Sequence, residues 1–285
     1  MSTENNAIAR KPQFSVAINS KHFQTAINNT LQDPNRARRF TASIVSAVST
    51  NPQLQDCDAS TIVTAALLGE SLNLSPSPQL GQYYLVPFNV KTGMKDANGK
   101  DLYDKKAQFQ LGYKGYMQLA MRSGEIKKLI SIEVKEGELI KYDPYEGTFE
   151  ARYIEDEDIR QQTETVGYYA MFELLNGFRQ ILYWSKEKME KHAEKYSMGY
   201  KAKKGYTFWE KDFDGMARKT MLRQIISKGG CPMSIEMQEA FTKDMGIINN
   251  DGTVEYIETS DNIIPVEPIP EQSTPVTEEV DINDL

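Results

Sequence analysis

The segment from Lys195 to Lys228 carries nine cations, Lys195, Lys201, Lys203, Lys204, Lys211, Arg218, Lys219, Arg223 and Lys228, against three acids, Glu210, Asp212 and Asp214. Six aromatic residues are interleaved with them: Tyr196, Tyr200, Tyr206, Phe208, Trp209 and Phe213. Cations neutralise phosphates and release counterions, and aromatic faces stack on unpaired bases at ~1–3 kcal/mol each, so this mixture suits single-stranded nucleic acid. A solvated lysine-rich loop whose aromatics anchor in a core has the same composition, and both readings stay open. Wound as a helix, Gly215 to Lys228 sets Ala217, Met221, Leu222, Ile225 and Ile226 on one arc, with Lys219 and Arg223 together on its border. Arg218 falls inside the arc. A guanidinium there needs a carboxylate, Asp212 and Asp214 being nearest in sequence, or a ligand phosphate.

A second cationic stretch contains Lys105, Lys106, Lys114, Arg122, Lys127 and Lys128 against Glu125 alone, with Phe109, Tyr113 and Tyr116 among them. Gly112-Tyr113-Lys114-Gly115 falls where a strand pattern passes into a helix, so backbone amides at the positive helix end are placed to receive a phosphate. A tight turn alone accounts for the same glycines. Between the cationic stretches lies an acidic one, Glu133 to Glu164, peaking at Glu155-Asp156-Glu157-Asp158. Its carboxylates either hold Mg²⁺ for a nuclease or form a solvated turn. Neither G-x-x-x-x-G-K-[ST] nor G-x-G-x-x-G occurs, which argues against ATP-driven strand exchange.

Positioning these groups falls to elements legible in the pattern. Asp33 before Pro34 reads as an N-cap with proline at the first helical position, and Ile44, Val45 and Val48 supply the stripe of a helix stopped by Asn51-Pro52. Asp58 caps a second helix with Ile62, Val63, Ala66 and Leu67 on its apolar face. After residue 80 the period changes to two: Tyr84–Val90 and Ala107–Leu111 read as strands of a long hairpin turning near Asn98-Gly99, with Pro87 at an edge or bulge. A short helix from Tyr113 to Arg122 is followed by strands near 129–134 and 148–153, then by a hairpin turning at Asn176-Gly177. Helices from Ser185 to about Tyr196 and from Gly215 to Lys228 complete the pattern. The expected class is α+β: a mainly antiparallel sheet backed by a long helix, with an N-terminal helical part and a disordered acidic C-terminal tail.

The 285 residues are 40% hydrophobic and 26% charged, an ordinary globular make-up. The net charge is −7, but from Asp244 onward there are eleven acids and no lysine or arginine, which leaves the preceding 243 residues at +4. Expected boundaries are a flexible segment 1–19, a folded core 20–245 and a disordered tail 246–285. Two cysteines far apart, Cys57 and Cys231, and two histidines, His22 and His192, argue against disulfide frameworks, zinc sites and most histidine catalysis. No apolar run approaches the ~18–20 residues that span a bilayer, and Met1–Arg10 lacks the order of a secretory leader, so no membrane and a cytoplasmic address are expected.

Four segments, taken in order, carry a resemblance: LGESLNLSPSPQLGQYYLVPF from Leu68, AQFQLGYKGYMQLAMRSGEIKKL from Ala107, GYYAMFELLNG from Gly167 and FWEKDFDGMARKTMLRQIISK from Phe208. Together, over roughly Ala59 to Lys228, they closely resemble the RecT family of phage and prophage single-strand annealing proteins. The chain departs from the family at Phe208, where many relatives carry proline. The resemblance implies a non-enzymatic, ATP-independent recombinase of a bacterial host's cytoplasm that coats single-stranded DNA and pairs it into annealed duplex. It implies a homo-oligomeric ring or helical filament, no cofactor beyond Mg²⁺ as a modulator, and a tail that engages a partner exonuclease or the host single-strand-binding protein. It places Tyr113, Lys114, Trp209, Lys219 and Arg223 beside the DNA. Charge and aromatic content add Lys105, Lys106, Phe109, Arg122, Lys127, Lys128, Lys201, Lys203, Lys204, Lys211 and Arg218. The alternatives are a Mg²⁺-dependent nuclease and a passive single-strand coat.

Overall fold

The computed structural model of the chain describes residues 13–205, 207–249 and 251–256, and the backbone of 263–265. It opens with helices α1 (Phe14–Ile18), α2 (Lys21–Leu31), α3 (Pro34–Ser49), α4 (Pro52–Gln55) and α5 (Ala59–Ser71). The expected caps are in place. Asp33 accepts from the amides of Asn35 and Arg36, which hold its carboxyl below the usual range, and Asp58 accepts from that of Ser60. The 1–19 segment is not wholly free, because α1 buries Phe14 and Ile18 in the core and packs on α3 and α5. Residues 1–12 lie outside the described residues.

Strands β1 (Tyr83–Lys95) and β2 (Asp101–Leu111) form the long hairpin, followed by α6 (Tyr113–Arg122) and β3 (Ile126–Lys135). A small hairpin, β4 (Leu139–Asp143) and β5 (Thr148–Ala151), and the short α7 (Glu157–Gln162) precede the main hairpin, β6 (Thr165–Leu174) and β7 (Arg179–Ser185). Next come α8 (Lys186–Tyr196), α9 (Met198–Lys201), α10 (Phe208–Lys211), α11 (Phe213–Lys228) and α12 (Ile235–Lys243), and then the short strands β8 (Gly246–Ile248), β9 (Val254–Tyr256) and β10 (Ile263–Pro265). Pairing is antiparallel throughout, in three sheets of order β10-β1-β2-β8-β9, β3-β6-β7 and β4-β5. The irregularity in β1 falls at Lys91–Lys95, beyond Pro87, which pairs in register with Ala107.

The core extends past the expected limit at residue 245. Ile247 and Ile248 are buried, β8 pairs with β2 at Phe109, and a side chain at Gly246 would collide with Val254. Charge and proline density beyond residue 244 conceal these three apolar positions. The tail beyond Pro265 and residues 257–262 lie outside the described residues.

Alternation decides which faces meet. Leu129, Ser131 and Glu133 of β3, Tyr168, Ala170 and Phe172 of β6, and Leu182 and Trp184 of β7 share one face of the second sheet, and α11 packs on this sheet. α5 covers β1 and β2, while α6 and α12 bridge the two larger sheets. One continuous apolar cluster runs from Phe14 to Ile248. The long helix backing antiparallel strands is thus α11.

Candidate nucleic-acid interface

Gly112 and Gly115 are fixed by close packing. A side chain at either would collide with the carbonyl oxygens of Gly81 or Gln82, and the Gly112 amide donates to Gln82 O at 2.8 Å. That approach sets the start of α6 against the Gly81 turn, with exposed Lys114 alongside it and no side chain capping the helix. Tyr113, half-buried on the first turn, is held above its ordinary pKa by burial. Arg218 lowers it and Glu133 raises it, so all three groups share one electrostatic neighbourhood. The two cationic stretches, a hundred residues apart in sequence, therefore meet where α6 crosses α11.

Arg218 does not take either of the carboxylates nearest in sequence. Asp212 caps α11 through the Gly215 amide at 2.9 Å, and Asp214 accepts from Tyr168 Oη at 2.6 Å. That bond, behind burial as the larger cause, pushes the Tyr168 phenol far above its usual range. Arg218 instead reaches across to β3, its Nε 3.5 Å from Glu133 Oε1 with no hydrogen bond made and its side chain 40% exposed. Ser131 Oγ donates to the Arg218 carbonyl at 3.0 Å and fixes the helix turn against the strand. A half-exposed guanidinium with a long, imperfect contact keeps donors for an incoming phosphate.

Other cations named from sequence are used within the fold. Lys105 pairs with Asp56 at 2.7 Å, Lys106 with Glu255 at 3.4 Å and Lys127 with Glu173 at 2.5 Å, and Lys128 lies close enough to lower the Glu173 carboxyl. Arg122, at the far end of α6 from Tyr113, donates to the carbonyls of Leu72 and Asn73, where α5 ends. Arg223 lies 3.9 Å from buried Asp244 and 3.1 Å from Met245 Sδ. Lys219 is half-buried one turn before Arg223 on α11. Two aromatic residues require correction. Phe109 is fully buried and stacked on Tyr83, and Trp209 packs among His192, Tyr200 and Phe213, so neither ring has a face open to a base. Their positions in an alternating strand and beside Phe213 gave the same local signal as exposed rings would.

Lys201, Lys203, Lys204 and Lys211 are exposed on the compact turn built by α9 and α10, which leads through Asp212 into α11. Tyr206, within the same turn, lies outside the described residues. The acidic peak 155–158 is also explained locally: Asp156 caps α7 through the Ile159 amide at 3.1 Å. Among the described residues, no three His, Cys, Asp or Glu side chains come together as a metal-holding group. Sequence reasoning missed Glu138, buried beside Arg160 at 2.8 Å. Burial raises this carboxyl, but Arg160 and the amides of Lys135 and Ile154 outweigh burial and hold it below its usual range. The pair pins the excursion between β3 and β6. Nothing in the acid-rich stretch distinguished Glu138 from its neighbours.

No helix among the described residues is long and apolar enough to cross a membrane. Residues 38–261 match the family model described as the RecT family. An uncharacterised protein of Bacillus subtilis (strain 168), YqaK, is 38% identical over 253 residues, covering 86% of this chain and 78% of that protein. Protein RecT of Escherichia coli (strain K12) is 28% identical over 193 residues, covering 68% of this chain and 65% of that protein.

Proposed function

Because the chain belongs to the RecT family, we propose that it anneals complementary single strands of DNA without nucleotide hydrolysis, as a non-enzymatic recombination protein. The observation that carries this reading is the meeting of Tyr113 and Arg218 where α6 crosses α11, with exposed Lys114 on the same turn of α6 and four exposed lysines on the turn that leads into α11. Cations on one side of a strand hold its sugar-phosphate backbone, and the base edges stay available to a second strand. Watson–Crick pairing then supplies sequence selection, at about 1.4 kcal/mol per stacked step. α11, at 1.5 Å per residue, is about 24 Å long and spans roughly seven nucleotides at 3.4 Å each, so a longer strand requires several protomers. A homo-oligomeric ring or helical filament satisfies that need. Mg²⁺ acts on such a complex as a modulator, and the acidic segment beyond residue 265 is the proposed contact for a partner exonuclease or a host single-strand-binding protein.

The test mixes complementary labelled oligonucleotides with the protein, without ATP, with and without Mg²⁺, and follows duplex yield and strand length. Faster pairing of intact strands is expected. Shortened strands would establish the nuclease reading, and slowed pairing the passive coat.

A further inference from the structure

The turn between α8 and α11 sorts its aromatic residues by direction. Tyr200 and Trp209 point inward and pack on Phe213, tilted at a centroid distance of 5.9 Å and edge-on at 5.2 Å respectively. Phe208, immediately before Trp209, is 59% exposed, and Met198 on the neighbouring turn is 57% exposed. The two turns are clamped together. The Glu210 carboxylate accepts from the Gly205 amide at 2.8 Å and from the Thr207 amide at 3.0 Å, and Thr207 Oγ1 accepts from the Glu210 amide at 3.2 Å. Thr207 also packs against Gly199, leaving no room for a side chain there. Phe208 is therefore an apolar ring held outward on a braced backbone, not one end of a slack loop.

Its surroundings indicate what it meets. Lys201, Lys203, Lys204 and Lys211 are all exposed on the same turn and make no ion pair among the described residues. Of the two acids in the turn, Glu210 accepts from backbone amides and the Thr207 hydroxyl, and Asp212 caps α11 through the Gly215 amide. A protein partner with an apolar pocket would have to bring carboxylates for four lysines. A single strand brings phosphates for the lysines and an unpaired π-face for the ring. Resting on the annealing reading above, we propose that Phe208 is a base-stacking platform of this chain and that the four lysines hold the flanking phosphates. Trp209, the residue the sequence favoured for that role, is the internal brace behind it.

The experiment measures binding of the full-length protein, by fluorescence anisotropy, to a labelled oligothymidylate and to an abasic phosphodiester chain of equal length. The parent is expected to prefer the base-bearing strand. Phe208→Ala should lose about five-fold or more on oligothymidylate and little on the abasic chain, since a stacked base contributes at least that factor. Phe208→Trp should restore the preference and show quenched indole emission on binding, relative to the two native tryptophans. Unchanged affinity in Phe208→Ala, or an equal loss on both strands, overturns the stacking role. A change in self-association with binding unchanged overturns it too, and makes Phe208 a contact between protomers. If the parent binds neither strand, the annealing reading falls first and takes this one with it. Thermal unfolding of Phe208→Ala is expected to match the parent, because the ring is outside the core.

Discussion

Asp244 offers the sharpest test of the packing behind the interface. It is fully buried, its Oδ1 accepts from the Leu111 amide at 2.7 Å, its Oδ2 accepts from Tyr116 Oη, and Arg223 Nη1 stands 3.9 Å away. Leu111 and Tyr116 are themselves fully buried, so Asp244→Ala leaves two donors with no water to turn to. At about 1–3 kcal/mol per orphaned buried donor, and with Arg223 one-third exposed and able to recover solvent, the loss is about 3–5 kcal/mol. Asp244→Asn keeps one acceptor oxygen and should cost about half as much. In urea, followed by tryptophan fluorescence, Asp244→Ala should lower the midpoint by about 1 M or more at unchanged slope, for a slope of ~3 kcal/mol/M. A shift below ~1 kcal/mol for Asp244→Ala, or an Asn variant weaker than the Ala variant, would refute the bonding described. The same geometry predicts that Arg223→Ala is not silent in stability. A change pairing it with Lys219→Ala therefore mixes a packing loss with any loss of DNA affinity.

Two further outcomes are expected. His192 is held down to about 4, chiefly by burial, with Arg223, Lys228 and Lys195 adding to it. Its folded pKa lies below the unfolded value of 6.5, so the unfolded chain binds the extra proton in between. The stability is full above pH 6.5 and drains away as pH falls toward 4, by roughly 2 kcal/mol after allowing for partial exposure. Urea midpoints at pH 7 and 5 should draw together in His192→Phe relative to the parent, and an identical drop in both proteins would exclude the histidine. Arg218→Met should change stability by under about 1 kcal/mol, because the pair it breaks is long and partly exposed, yet reduce the slope of log affinity against log salt by about 0.7. Lys127→Ala, whose cation is already committed to Glu173, should leave that slope as it is, and equal effects from both variants would argue against a phosphate contact at the α6–α11 crossing.

Local sequence signals carry through to the fold. Proline after aspartate, the Asn176-Gly177 turn, the alternation of Ala107, Phe109 and Leu111, and the Gly215–Lys228 arc all reappear as α3, the β6–β7 hairpin, β2 and α11. What did not follow from sequence was partnership at a distance. Arg218 chose Glu133, 85 positions earlier, over the two acids nearest in sequence, because strand alternation aims Glu133 at α11 while the near acids are used as cap and phenol acceptor. Charge counts could not separate lysines that pair within the fold from those on the α9–α10 turn, since pairing depends on where Asp56, Glu173 and Glu255 come to lie. Exposure of adjacent aromatics was likewise undecided by composition: Phe208 and Trp209 are neighbours with opposite fates. The carboxyl-terminal strands were hidden because three-residue elements carry no period to detect.

The placement of β8 between β2 and β9 gives the end of the chain mechanical leverage. A tether hooked to the residues beyond Pro265 would not tug on a slack leash. Load would pass through β10 into β1 and through β9 and β8 into β2, the strand whose last residue precedes Gly112 and the start of α6. Shortened or tagged versions therefore need their cut downstream of residue 265. Trimming at residue 245 would strip two buried isoleucines from the strand paired to β2 and loosen the footing of the very helix that carries Tyr113 and Lys114.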